Sequence, residues 1–321
     1  MRLDGRLVNS QSILSGSALE PVFSNALKAH IQRNIAEARR IARASGLSNE
    51  EIHAARKSIK RARSTLRLMR GGIPGESFEQ LRVALRSFAH SFTSVRDATV
   101  MHDRLLELVE ENRQLSTSGV FSVAERLEIK QQQALEQMSA PSARDEIERV
   151  AGALQDRLEC VRVDTDDWEL LACGLKRIYR VGRRRFRALK KGADDDSVHR
   201  CRKAAKDLMY SLQSLTPMAS GQIKRTVRQL HRLTDDLGED HDLALLDSTL
   251  RDIGDRQQSK LRKAIKRRRA KLQRRARHAG RRLYERKPRR YLRHLGLRRN
   301  AWMVVHERLM RERPAPEGAA A

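Results

Sequence analysis

Two stretches of this chain carry the same two-faced helical pattern, and that repeat restricts what the chain can fold into. Residues 52–68 read IHAARKSIKRARSTLRL. With His53 at zero and about 100° per residue, Arg56, Lys57, Lys60, Arg63, Ser64 and Arg67 fall within an arc of roughly 120° around it. Ile52, Ala55, Ile59, Ala62, Leu66 and Met69 occupy roughly 100° on the opposite side. Counted from His199, Arg202, Lys203, Lys206 and Tyr210 share one face, and Val198, Cys201, Ala205, Leu208, Leu212 and Leu215 share the other. The two histidines stand 146 positions apart, and offsets +3, +4 and +7 are Arg, Lys and Lys in both copies. Beyond that the copies part, Arg63, Ser64 and Arg67 becoming Met209, Tyr210 and Gln213. A pattern repeated at this spacing divides the chain into two similar halves.

The flanking sequence is helical throughout. Pro21 opens a helix with Phe23, Leu27, Ile31, Ile35 and Ile41 at helical spacing, and Gly46 suits its C-terminal cap. Ser48 and Glu51 form a capping box for the His53 helix. After the turn at 71–75, Leu81, Leu85, Phe88 and Phe92 line one side of a helix and Arg82 and Arg86 another, and the helical pattern continues through 94–111. Residues 112–121 read as a loop, 121–139 and 142–160 as helices either side of Pro141, and 164–168 as an acidic connector. The second half runs in parallel. A helix over 169–191 precedes the His199 helix, Pro217 and Gly221 mark the turn, and Lys224, Arg225, Arg228 and Arg232 answer Arg82 and Arg86. The segment at 241–250 answers 96–105 one residue out of step. No window alternates as a strand would. The expected fold is all-α, two bundles of four or more helices. The expected boundaries are a tail at 1–18, an N-terminal bundle at 19–163, a C-terminal bundle at 164–312, and a disordered tail at 313–321.

Charge decides the class of partner. Against 40 acidic residues the chain has 67 lysines and arginines, a formal +27, and most of the excess lies beyond residue 160. Within 260–299, 20 of 40 residues are basic and only Glu285 is acidic. Such a balance suits a polyanion: nucleic acid, polyphosphate or an anionic surface. Cys160, Cys173 and Cys201 form no CxxC pair and read as buried free thiols of a reducing compartment. With no signal peptide and no apolar run of membrane-spanning length, the expectation is a cytoplasmic protein without membrane insertion.

Solvated helix faces normally mix signs to gain i,i+4 pairs. These stripes hold no acid at the matching offsets, so an anion is expected to relieve the repulsion. His53 and His199 each lie near a helix N-terminus, where the dipole also favours anions. No Cys, Asp or Glu at ligand spacing joins them, so no metal is expected. Asp97, Asp242 and Asp247 read as partners that orient basic residues. Nucleotide-phosphate, hydrolase and zinc-protease signatures are absent from the sequence, and neither catalysis nor a cofactor is expected. Single-strand nucleic-acid sites interleave aromatics among cations, whereas the stripes contain only Tyr210; that favours inorganic polyphosphate. Nucleic acid held by the tract at 260–299 through counterion release is the alternative.

HAARKSIKRARSTLRLM and VHRCRKAAKDLMYSL resemble the two signature helices of the CHAD family, the conserved histidine α-helical domains. SVRDATV and DDLGEDHDLAL are similar to that family's downstream segments, and the likeness spans roughly residues 20–310. The resemblance implies two pseudo-symmetric antiparallel helical bundles facing each other around a basic groove or pore that binds inorganic polyphosphate. It further implies a non-enzymatic targeting role, often at polyphosphate granules. Carried over by motif, His53, Arg56, Lys57, Lys60, His199, Arg202, Lys203 and Lys206 would line that channel, with Arg63, Arg67, Arg82, Arg86, Tyr210, Lys224, Arg225, Arg228 and Arg232 beside them. The chain departs from the family's second motif at Met209, where an arginine is usual. Some relatives add a triphosphate-tunnel domain marked by ExExK; the nearest string here, ERLEIK at 125–130, has Arg126 in place of the first glutamate.

Overall fold

The computed structural model of the chain describes residues 22–44, 48–111, 118–192, 194–215, 220–253 and 259–299; the side chains of 22, 93–98, 118, 119 and 251–253 also lie outside that description. The tails at 1–18 and 313–321, Pro21, Gly46, Pro217 and the side chain of Asp97 therefore fall outside the described residues. What is described is all-α, as the periodicity predicts, with no strand among the described residues. The elements are α1 (Val22–Arg43), α2 (Asn49–Met69), α3 (Gly75–His90), α4 (Thr93–Glu111), α5 (Ser118–Ser139) and α6 (Pro141–Cys160) in the first half. The second half holds α7 (Asp167–Lys191), α8 (Asp195–Gln213), α9 (Gly221–Ile253), α10 (Ser259–Tyr284) and α11 (Pro288–His294).

Local chemistry sets the helix ends. Ser48 and Glu51 close the predicted capping box on α2. Asp194 caps α8 by accepting from the Ser197 N–H. Asp166 caps α7, accepting from the Trp168 and Glu169 N–H groups, so the connector is shorter than expected and its last two residues are helical. Asp167 next to it is buried and accepts from the backbone N–H groups of Phe23 (2.7 Å) and Ser24 (3.0 Å), fastening the first turn of α1 to the second half. The loop expected at 112–121 gives way to α5 from Ser118.

Between α3 and α4 the chain breaks at Ser91 and Phe92, where sequence alone suggests one continuing helix. No Gly or Pro marks the break. Instead Phe92 is buried edge-on against Phe88, with centroids 5.7 Å apart. Its carbonyl, freed from the helix ladder, accepts from Arg56 Nη1 at 2.5 Å. The second half runs unbroken through the corresponding place as the 33-residue α9. The one-residue slip between the copies is thus taken up at that turn.

Apolar faces meet in two clusters. The larger draws on α1, α2, α3, the end of α5, α6, α7 and α8, the first part of α9, and the C-terminal part of the basic tract from Ala276 onward. The smaller joins Leu105, Leu108, Val123 and Leu127 of α4 and α5 to Leu243, Leu246, Leu261 and Ile265 of α9 and α10. Each such buried aliphatic contributes about 1.5–3 kcal/mol. Both clusters mix side chains from the two halves.

The central pair is α2 and α8, the two repeat helices themselves, in contact with each other. Small buried side chains allow the approach: the Ser211 hydroxyl lies 2.8 Å from the Asp207 carbonyl and 3.3 Å from the Ser64 carbonyl. Gly174 lets α7 close on α2 as well, since a Cβ there would stand 2.3 Å from the Leu68 carbonyl oxygen. Part of each cationic stripe is thereby brought to one place.

Tract 260–299 is part of the fold. Leu261, Ile265, Leu272, Ala276, Leu283 and Tyr284 of α10 are buried. Tyr291 of α11 stacks on Tyr179 of α7 at 3.7 Å between centroids. Of the three thiols only Cys201 is buried, as its helical position requires; Cys160 and Cys173 are exposed, correcting the expectation that all three lie inside. Burial pushes the Cys201 thiol up to about 12.

Candidate anion-binding site

One face of α2, the end of α3 and one face of α8 enclose an open cleft of about 600 Å³, with Arg56, Lys60, Arg63, Arg86, His90 and Lys203 on its walls. It narrows to a recess of about 90 Å³ that shares Lys60, Arg63 and Lys203 with it and adds Ser64, Arg67, Lys206, Asp207 and Tyr210. Helical spacing explains the α2 wall: Arg56, Lys60, Arg63 and Arg67 follow one another at i,i+3 or i,i+4. The opposite wall exists because α8 packs directly on α2.

The cations crowd one another. Burial, then the Arg63 and Arg67 charges, hold the Lys203 ammonium below its ordinary range, with Asp207 opposing. Arg63 is likewise lowered, by burial first and by Arg67 next. Positive charge held against burial and like-charge repulsion is what an entering anion would stabilise. Arg56 is aimed by its bond to the Phe92 carbonyl.

Of the residues singled out from sequence, Arg56, Lys60, Arg63, Arg67, Arg86, Lys203, Lys206 and Tyr210 meet in this cleft and its recess. The others stand elsewhere. His53 is exposed and lines a neighbouring cavity with Asn49, Thr99 and Asp103. Lys57 is exposed on α2, outside both parts of the cleft. Arg82 is engaged by Glu79 within its own helix. His199 lies against His241 with centroids 4.7 Å apart, and its buried Nδ1 has no hydrogen-bond partner among the described residues. Arg202, its side chain 11% exposed, turns toward α9, 3.8 Å from Asp242 and over the backbone of Gly238. Lys224, Arg225, Arg228 and Arg232 are exposed along α9. The helical period places a residue on a face; it does not say which neighbour that face meets.

Two titratable cleft residues escaped the sequence reading. His90 is four residues beyond Arg86, and Asp207 four beyond Lys203, so the i+4 spacing was the available signal. No acid stands at the matching offsets, yet Asp207, eight residues beyond His199, lines the recess among the cations. Asp242 and Asp247 do face arginines, Asp247 accepting from Arg262 Nε at 2.9 Å.

The basic tract is partly neutralised by α9. Arg268 pairs with Glu239 (2.5 Å) and Glu111 (3.2 Å), Arg269 with Asp240 (3.1 Å) and with Asp195, and Arg275 with Asp236 (2.9 Å). Among the described residues no three metal-ligating side chains converge. No described helix is long and apolar enough to cross a membrane.

His30, His199 and His294 are all held below the ordinary histidine value of 6.5, in each case by burial first and neighbouring cations second. A base whose folded-state pKa is depressed contributes full stability above its unfolded value and loses it as pH falls through the folded one. The ligand-free protein is expected to lose stability as pH drops from about 7 to about 5.5, by at most about 1.4 kcal/mol per pH unit for each histidine. A urea midpoint that holds constant across that range would contradict it.

None of the curated proteins matches the chain. Among solved structures it is similar to the CHAD domain from the plant Ricinus communis, with 19% identity and a TM-score of 0.51 over 88% of this chain and 91% of that one. It is also similar to PptA from Streptomyces chartreusis, with 16% identity and a TM-score of 0.53 over 87% and 98%. At such identities the likeness is one of fold. The CHAD domain family model matches residues 25–251, well over half of the chain and both repeat helices. The chain therefore belongs to the CHAD domain family.

Proposed function

We propose that this protein binds inorganic polyphosphate in the cleft between α2, α3 and α8, without catalysis, and that such binding associates it with polyphosphate granules. The observation that carries the reading is the make-up of the cleft. Arg56, Lys60, Arg63, Arg86 and Lys203 converge from three helices on one open volume. Arginine forks and lysine ammonium groups on phosphate oxygens form charge-assisted hydrogen bonds, the strongest kind available at a wet surface. Tyr210, the one aromatic of the stripes, is 6% exposed and presents no face for a base to stack on. A polymer made only of phosphate needs cations and no such face; single-stranded nucleic acid gains much of its affinity from stacking. Family membership agrees with this reading through the polyphosphate binding that the resemblance implies.

Labelled long-chain polyphosphate titrated at one moderate salt concentration, with RNA and double-stranded DNA as competitors, tests the proposal. Polyphosphate is expected to bind at least about tenfold tighter per charge, a difference of about 1.4 kcal/mol. Equal competition per charge would mean that the +27 acts as a generic cation, with nucleic acid as the partner.

A further inference from the structure

The cleft contains one acid among the residues that line it. Asp207 sits in the recess that Lys60, Arg63, Arg67, Lys203 and Lys206 also line. Its Oδ1 accepts from Arg67 Nη1 at 2.7 Å and from the Ser64 hydroxyl at 3.1 Å. Its side chain is 22% exposed. Burial raises its carboxyl above the ordinary range, against the pull of Arg67, Ser64, Arg63 and Lys203. The first repeat carries Arg61 at the same offset, so at this position the two repeat helices differ by a reversal of charge. Two positions further, Arg63 is answered by Met209. The α8 wall keeps Lys203 and Lys206 but adds Asp207 beside them, while Met209 turns into the core.

We propose that Asp207 is a resident counter-ion of the cleft: it occupies, between Arg67, Arg63 and Lys203, the place a phosphate would take, and so limits how deep the polyanion enters. This rests on the anion-binding reading above. In the ligand-free protein the carboxylate neutralises Arg67 and tempers the repulsion between Arg63 and Lys203. An entering chain meets Arg56, Lys60 and Arg86 at the wide end, where no acid lines the wall. To reach Arg67 it would have to bring its own charge against the carboxylate, and like charges repel more strongly in a confined, poorly solvated recess. Bound phosphates therefore stay on the outer cations, and Arg67 serves Asp207 alone.

Sodium polyphosphate of one defined chain length, titrated calorimetrically across a salt series, separates the possibilities. Wild type, Asp207→Asn, Arg67→Gln and the double variant are compared, with helicity checked by circular dichroism. Asp207→Asn frees Arg67 for one more contact. It is expected to bind about tenfold tighter, with the slope of log affinity against log salt steeper by about 0.7–0.9, the increment for one further neutralised phosphate. Arg67→Gln is expected to change wild-type affinity by less than about twofold, and in the Asp207→Asn background to cancel the gain, a coupling that the four-way cycle reads directly.

Native helicity with unchanged or weaker binding in Asp207→Asn overturns the proposal, and so does a tenfold loss in Arg67→Gln alone. Should Asp207→Asn lose helicity, Arg67→Gln decides by itself: unchanged affinity supports the counter-ion role and a tenfold loss refutes it. Absence of any binding by wild type would remove the anion-binding reading and this inference together. That outcome is distinct from a wild type that binds and an Asp207→Asn that gains nothing.

Discussion

Replacing Lys60, Arg63 and Lys203 together by alanine is expected to weaken polyphosphate binding at least about a hundredfold while leaving the helical fold intact. These three residues belong both to the open cleft and to its recess, so every path for a chain through the site passes them. A hydrogen bond to a charged group contributes about 1.5–3 kcal/mol. Loss of two such contacts already amounts to about a hundredfold, at about 1.4 kcal/mol per factor of ten. The salt dependence should flatten by about 0.7–0.9 for each phosphate contact removed. Stability is expected to move the other way. Lys203 and Arg63 both have folded-state pKa values below their ordinary ones, which means that the folded protein disfavours their charge. A base depressed in this way carries a penalty wherever it is protonated in both states, and alanine removes that penalty. Neither side chain accounts for core burial, since the apolar face of α2 is Ile52, Ala55, Ile59, Ala62, Leu66 and Met69. Isothermal titration of the triple variant beside its urea midpoint checks both halves of the expectation. A binding loss below about tenfold would move the site off this cleft, and a lowered midpoint would mean that the cations are structural.

How much of this was readable in advance follows from what helical periodicity encodes. The apolar backs of the two repeat helices and the capping box at Ser48 come directly from spacing within one helix, and both reappear in place. What spacing cannot encode is which helix stands opposite. His53 and Arg56 are neighbours on the α2 wheel, yet His53 looks toward α4 and Arg56 into the cleft, because the turn at Phe92 lies between them. Arg202 and Lys203 are adjacent in sequence, but Asp242 faces the first and the cleft receives the second. The break between α3 and α4 carries no Gly or Pro; it depends on the burial of Phe92 and the Arg56 bond to its carbonyl, both tertiary facts. The basic tract misleads for a related reason. Its acidic partners Asp236, Glu239 and Asp240 lie 29 to 39 residues upstream on α9, outside any local charge count.

Those partners give the other large expected effect. Asp240→Ala should destabilise the protein by about 3 kcal/mol, the lower end of what removal of one member of a buried ion pair costs. The Asp240 side chain is 0% exposed and accepts from Arg269 Nε at 3.1 Å and from Gln273 Nε2 at 3.1 Å. Its removal leaves a guanidinium 16% exposed and an amide without their acceptor, at the junction of α9 and α10. Arg269 retains only Asp195, an exposed partner of little energetic weight. Burial pushes the Asp240 carboxyl up despite Arg269 and Gln273, so its ionisation is itself costly in the folded state. For that reason replacing both partners, Asp240→Leu with Arg269→Met, is expected to recover most of the loss, since a hydrophobic pair of similar volume often matches a buried ion pair. Urea denaturation at neutral pH, followed by helicity, measures both variants. A drop below about 1 kcal/mol for Asp240→Ala would show that α10 does not depend on α9 for its charge balance. If the larger drop is found, α10 is held by its counter-ions as well as by Leu261, Ile265 and Leu272. Deleting 260–299 would then unfold the protein instead of isolating a nucleic-acid site. Nucleic-acid binding by the tract is better examined at its exposed cations, such as Lys263, Lys266 and Arg267, where substitution leaves the α9 ladder in place.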